Sequence, residues 1–269
     1  MSANIYRHEF RSRLRSVLIW SLAVAALVLV FFSLFSTFAD QAALLNQLLD
    51  RFPPELRAAF GLGSLDLASV LGFYGFLFVF IQLCLAIQAG NYGFGLVSIE
   101  ESELTADFLL SKPVSRSQVL RSKLLAALTS LLLTDVAMGV SSFAAILLFR
   151  GGHEYDPATL VVLLLSIIIF QLFFLSVGLL ISLLVKRVRS VTPYSLGLGF
   201  GAYVLSAFSG VFGDVKLEYV TPFKHLDPAY IVQHGDYNTP LVLLNVGVTV
   251  VALAVSYWRY IRRDIPAVS

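Results

Sequence analysis

The chain has 269 residues, of which 58% are hydrophobic and only 13% charged, with a mean hydropathy of +0.82 and a formal net charge of +2. A soluble domain carries about 25% charged residues, so the composition excludes an ordinary globular protein. It specifies an all-α, polytopic membrane protein, one transmembrane domain over 1–269. The basic residues are distributed by topology rather than gathered into a patch, so no nucleic-acid partner is expected.

Residues 4–16 come first. Tyr6, Phe10, Leu14 and Val17 recur at helical spacing, with Arg7, Arg11 and Arg15 on the adjacent stripe. That pattern predicts a helix lying in the membrane interface, its arginines reaching lipid headgroups. Arg13 falls on the apolar stripe and weakens it, and a plain basic flank is the alternative. The apolar run after Arg15 extends to about Ala39, longer than the 7–15 residues of a signal-peptide core. It reads as an uncleaved first span.

With roughly 20 apolar residues needed to cross a bilayer, six segments qualify: about 17–39, 70–97, 124–149, 159–185, 191–213 and 240–258. Six spans put both termini on one side. Of the 19 basic residues, only Arg51, Arg57, Arg150, Lys216 and Lys224 then fall on the other side. The positive-inside bias makes the termini, the 98–123 loop and the 186–190 turn cytoplasmic. A bacterial or archaeal plasma membrane is the expected location.

Between the first two spans, residues 40–69 carry Leu44, Leu45, Leu48, Leu49 and Phe52, then Pro53-Pro54, then Leu56, Ala59 and Phe60. Two short amphipathic helices on the outer leaflet would bury these faces. The second span holds Gln82, Gln88 and Asn91 in apolar surroundings. Such amides bond neighbouring helices or line a polar translocation path. Cys84, the single cysteine, forms no disulfide within the chain and reads as packing.

The loop after the second span is the longest charged run between two apolar segments. Glu100, Glu101, Glu103 and Asp107 come first, then Lys112, Arg116, Arg121 and Lys123. Pro113 stops any helix that begins near Glu100, because it lacks the N–H donor and disfavours helix at Lys112. Ser115 followed by Gln118 reads as a capping box, so a new helix starts there and runs into 124–149. A short helix, a break and a fresh helix would offer a rigid knob to a soluble partner; a solvated hairpin is the alternative.

The third span holds Asp135 beside Thr134. It is the ionisable residue at mid-membrane, where an unpaired charge costs about 3 kcal/mol. It has to be protonated, paired or facing water. The fourth span contains Gln171, Ser176 and Gly178 and leads through Lys186-Arg187 into a tight hairpin with the fifth. There Gly197 and Gly201 form a small-xxx-small pair suited to a dimer seam. The GLGFG run around them is no phosphate loop, since it lacks the preceding strand and the lysine. Residues 214–239 suggest a short structured element at the outer interface. Its His225, Asp227 and His234 match no standard metal spacing. Trp258-Arg259-Tyr260 anchors the end of the last span.

No GxxxxGK[ST] motif and no HExxH or cysteine-rich metal site occurs, and His8, His153, His225 and His234 all lie outside the spans. ATP hydrolysis by the chain itself and an intramembrane Ser-His protease are therefore not expected.

Three features together resemble the ABC type-2 transporter permeases over nearly the full length. The charged helix IYRHEFRSRLRS enters the first span. FLLSKPVSRSQVLRSKLLAAL resembles the family's acidic–Thr–hydrophobic–Pro-Val-Ser-Arg signature, here Glu100, Glu101, Thr105, Pro113, Val114, Ser115, Arg116 and Lys123, with Leu104 where many members have glycine. VTPFKHLDP resembles the Ser-Pro-Phe element, here Thr221, Pro222 and Phe223. The stretch LLDRFPPELRAAFGLGSLDLASVLGFYG is closest to short permeases of bacitracin-type antibiotic exporters.

The resemblance implies a non-catalytic permease subunit, two copies working with two separate ATPase chains that carry ATP and Mg. The coupling surface would comprise Arg7, Arg11 and residues 100–112, with Phe108 and Leu109 at its apolar heart and Pro113 and Arg116 following. An amphiphilic cargo such as a peptide antibiotic, drug or lipid is the expected substrate, on a path near Gln82, Gln88, Asn91 and Asp135. A proton- or ion-coupled secondary carrier using Asp135 remains the alternative, as does a membrane scaffold without transport.

Overall fold

The computed structural model describes residues 3–41, 51–53, 65–102, 115–185, 188, 190–209 and 216–262, without the side chains of 99–102. Their regular secondary structure is entirely helical. The long helices are α1 (Ala3–Phe32), α3 (Val70–Ser102), α4 (Arg116–Phe149), α5 (Pro157–Leu184), α6 (Val191–Ser209) and α9 (Thr239–Arg262). Short α2 (Phe35–Asp40) follows α1. A 3-10 turn (Leu217–Tyr219), α7 (Pro222–His225) and α8 (Pro228–His234) link α6 to α9.

Among the described residues five stretches are long and apolar enough to cross a membrane: Ala3–Asp40, Val70–Ser98, Arg116–Phe149, Pro157–Leu184 and Thr239–Arg262. The expected fifth span, 191–213, is helical over the 19 residues Val191–Ser209 but is not among them. Thr192, Pro193, Ser195 and three glycines dilute its hydropathy, and 210–213 lie outside the described residues.

Local chemistry explains the helix starts. Ser115 caps α4 as the sequence predicts: its Oγ accepts from Gln118 N–H at 3.3 Å, and the Gln118 side chain accepts from Ser115 N–H at 3.3 Å. Asp156 caps α5 ahead of Pro157. Its carboxylate accepts from the Thr159 hydroxyl (2.7 Å) and from the Ala158 and Thr159 amides (3.0 and 3.1 Å). These bonds hold the exposed carboxyl below the usual carboxylate range. Asp227 and Pro228 begin α8 in the same manner, and Gly235 ends it at φ 69°, a left-handed cap.

α3 and α5 form the centre. They pack along one another, α1 lies along α4, α6 lies on α3, and α9 lies on α5. The apolar stretch of α3 is 61% buried and that of α5 50%, against 22% for α1 and α9, whose outer faces are left for lipid. Close contact at the centre depends on glycine. A Cβ on Gly93 would collide with the Leu175 carbonyl, and one on Gly178 would stand 3.2 Å from the Gly90 carbonyl oxygen.

The N-terminal region departs from expectation. Residues 4–16 are not a separate interfacial helix; they continue without a break into the first span. The inward face runs Phe10, Arg13, Val17, Val24, Val28 and Phe32, with Arg13 turned inward and Leu14 exposed. The chain first breaks at Ser33-Leu34, where Ser33 Oγ donates to the Val30 carbonyl (2.7 Å) and Leu34 N–H to the Phe31 carbonyl (3.1 Å).

The segment before α9 is structured, as expected, but goes deeper than an interface. Phe223 packs its ring on Phe170 (centroids 5.0 Å apart) and Phe174 (6.1 Å) of α5 and on Tyr203 of α6 (5.7 Å). Phe170 lies about 20 Å along α5 from Pro157 at 1.5 Å per residue. The α7 turn therefore reaches the middle of the bundle. Irregular backbone at such depth has to be satisfied by protein, and it is. Thr221 Oγ1 donates to the Ala202 carbonyl (2.8 Å), and Gln82 Nε2 to the Leu226 carbonyl (2.9 Å).

Candidate functional site

Charged and polar side chains gather at the end of the bundle where α1 begins, α3 ends and α4 starts. Arg13 Nη2 bonds Glu9 Oε2 at 2.9 Å, an i,i+4 pair on α1. Lys123 of α4, 3% exposed, places Nζ 3.6 Å from Glu9 Oε1 and donates to the Leu96 carbonyl of α3 at 2.9 Å. The Arg13 guanidinium stands 5.3 Å over the Tyr92 ring. One carboxylate thus holds two buried cations, and together they join three helices. Leu96 lies six residues before the end of α3 and Lys123 seven after the start of α4, so the cluster braces the helices on either side of the 103–114 segment.

From that cluster hydrogen bonds lead inward. Tyr92 OH donates to Ser16 Oγ (3.2 Å) and accepts from Gln88 Nε2 (3.4 Å). Gln88 Nε2 also donates to Thr134 Oγ1 (2.9 Å). Beside it, Tyr257 of α9 donates to Ser117 Oγ (2.9 Å) and accepts from Arg121 Nη2 (2.9 Å) at the start of α4. Arg259 Nε donates to the Leu183 carbonyl near the end of α5 (3.2 Å). A displacement of the α4 start is therefore passed to α1, α3 and α9.

The residues expected from sequence fall out unevenly. Glu103, Leu104, Thr105, Asp107, Phe108, Leu109, Lys112 and Pro113 lie outside the described residues, as do the side chains of Glu100 and Glu101 and the Lys186-Arg187 turn. Most of the 40–69 loop lies outside them too. Arg116 is the first residue of α4 and half-buried. Arg7 and Arg11 are exposed, on the face of α1 that continues through Arg15 into lipid-facing Leu18 and Leu22. Glu9 and Arg13 on the inner face make the inter-helix contacts instead. Their Glu-xxx-Arg spacing was the available signal, read against an arginine on an apolar stripe.

Gln82, Gln88, Asn91 and Asp135 are not brought together. Gln82 serves the α7 turn and Gln88 the Tyr92–Thr134 chain, while Asn91 Oδ1 accepts from Ser195 Oγ of α6 at 2.6 Å. Asp135 bears on Gln171 of α5, although among the described residues Asp135 Oδ1 and Gln171 Nε2 each lack a hydrogen-bond partner. These amides clamp α3 to three separate neighbours. Gln82→Leu should strip the Leu226 carbonyl of its donor and cost about 1–3 kcal/mol, read as a lowered unfolding temperature of the detergent-purified protein.

Gly197 and Gly201 face outward, with no atom of the described residues within 4 Å of a Cβ built on either. The close contact within the chain uses the alternate residues. A Cβ on Gly199 would stand 3.1 Å from Ile87 Cγ1, and one on Gly90 would stand 3.0 Å from Ser195 Cβ.

A search of curated proteins returns no match. A family model described as "ABC-2 family transporter protein" matches residues 3–265, nearly the whole of this helical, multi-pass membrane chain. The chain belongs to the ABC-2 family of transporter proteins.

Proposed function

We propose that the chain is the permease subunit of an ATP-driven exporter, working as a pair of copies with two separate ATPase chains. The observation that carries this reading is the buried Glu9–Arg13–Lys123 cluster. It makes α1, α3 and α4 one stiff body at the base of the 103–114 segment. Closure of a soluble ATPase against that segment would then move three helices rather than one loop. The subunit itself contributes no hydrolysis; ATP and Mg belong to the partner.

In this reading α6 completes six spans, with its Gly197–Gly201 face turned to the second copy. Both termini and the basic cluster lie in the cytoplasm, under a prokaryotic plasma membrane. Among the described residues the bundle presents lipid-like surface over α1 and α9 and no ring of charge, which favours an amphiphilic cargo such as a peptide antibiotic, drug or lipid.

The test is co-expression with an ABC-type ATPase found in an adjacent reading frame or elsewhere in the same genome. Leu109→Asp or Phe108→Asp should abolish co-purification or the cargo-stimulated ATP hydrolysis, while the permease alone keeps its wild-type unfolding temperature. Undisturbed coupling in both variants would overturn the reading. Transport driven by a proton gradient without nucleotide, and lost in Asp135→Asn, would select a secondary carrier instead; the partnerless Asp135 Oδ1 is the observation on that side.

A further inference from the structure

His225 closes α7 in surroundings that suit two protonation states. It is 2% exposed. Its Nε2–H donates to the Tyr219 carbonyl at 3.2 Å, and its Nδ1 accepts from Asn245 Nδ2 of α9 at 3.4 Å. Those partners set the neutral ring as the Nε2–H tautomer. The second contact is long for a hydrogen bond, so the amide is loosely held. Asn245 Oδ1, in a side chain with no exposure, has no hydrogen-bond partner among the described residues.

The orphaned oxygen decides what the site can do. Half a turn of the amide presents Oδ1 to Nδ1, and a ring protonated on both nitrogens then has an acceptor for each N–H. The weak N–H···N contact becomes a charge-assisted N–H···O bond, of the stronger kind.

A cavity of about 330 Å³ reaches His225, with charges of both signs around it. Lys216 and Glu218 come from the 3-10 turn and its approach. Lys224 comes from α7, and Asp227 from the start of α8, the last two paired at 2.8 Å. Tyr230 and Tyr237 complete the titratable lining among the described residues. α9 offers Asn245, and α5 only the Phe173 ring, centroids 6.5 Å apart. Burial draws the imidazole below its ordinary value, while its bond to the Tyr219 carbonyl works the other way. The two carboxylates oppose the two lysines.

We infer that His225 and Asn245 form a proton-operated latch between the α7 turn and α9, in which acidification through the cavity charges the ring and turns the amide. The latch acts on the segment that Gln82 and Thr221 bind to α3 and α6, so a change of grip on α9 is felt across the bundle.

The sign of one substitution tests it. Histidine-labelled protein is titrated by 15N NMR, with His225→Gln used to assign the resonance. Wild-type His225 should titrate below the ordinary histidine value and show the Nε2–H tautomer at high pH. Asn245→Leu removes the acceptor that the charged ring needs, so proton affinity should fall about tenfold, one pH unit. An asparagine that only donates to Nδ1 would, on removal, raise the midpoint or leave it unmoved, and either result overturns the latch. Should the leucine variant misfold, the side-chain carbonyl 13C of wild-type Asn245 serves. It should shift with the His225 midpoint, and a flat response overturns the proposal.

Discussion

Replacing Glu9 by alanine should destabilise the protein by about 3–5 kcal/mol, the cost of breaking a buried ion pair by deleting one partner. The value belongs at the lower end, because Glu9 is itself 18% exposed and its Oε1 stands 3.6 Å from Lys123, although Oε2 holds Arg13 at 2.9 Å. Its loss removes the carboxylate between two cations, 9% and 3% exposed, on α1 and α4. Thermal unfolding in detergent reads the effect; a shift no larger than that of an exposed substitution such as Arg11→Ala would refute it. A buried ionic group is often replaceable by apolar side chains with little loss. The triple variant Glu9→Leu, Arg13→Met, Lys123→Met should therefore recover most of the stability lost by Glu9→Ala. If the cluster transmits force from an ATPase, the triple variant stays folded yet uncoupled. Stability and coupling are then separated in one series.

The second large effect is expected at Gly93. Its Cα hydrogen faces the Leu175 backbone, and a side chain there meets the Leu175 carbonyl, which cannot swing aside as a flexible side chain could. Gly93→Val should force α3 and α5 apart. Overpacking costs about 1–3 kcal/mol where side chains can yield, and two helix backbones yield less. Loss of monodisperse protein on size-exclusion chromatography is the expected outcome. Gly197→Ala is the matched control, since nothing among the described residues stands within 4 Å of its Cβ position; its unfolding temperature should stay at the wild-type value. A well-folded Gly93→Val would mean that the central pair is looser than its geometry requires.

Much of this architecture was legible in the residues. Long apolar runs located the crossing helices, because lipid demands backbone bonds satisfied within each segment. Ser115 and Gln118 marked the start of α4 to the residue, since a capping box is a local bond pattern. What could not be read was direction. Arg13 looked like a blemish on an apolar stripe because its compensation, Lys123, lies on another helix. Gln82, Gln88 and Asn91 were legible as amides that bond neighbouring helices, and they do, but the pattern could not say that they reach three different neighbours rather than one shared path. Gly197 and Gly201 read as a seam to a second copy, and a close contact within the chain falls instead to Gly199, two residues from either, which the small-xxx-small pattern did not single out. Hydropathy ranked 191–213 with the other spans by counting apolar residues; its proline and glycines leave Val191–Ser209 outside the five apolar stretches.

The depth of the α7 turn bears on how the chain is made. The slot that receives Phe223 is built from Phe170, Phe174 and Tyr203, all translated before it. The wedge can seat as soon as it leaves the ribosome, while Asn245 arrives only with the final helix. Synthesis thus delivers the plug before the bolt, and a released chain cut ahead of Thr239 still carries every ring of the filled centre.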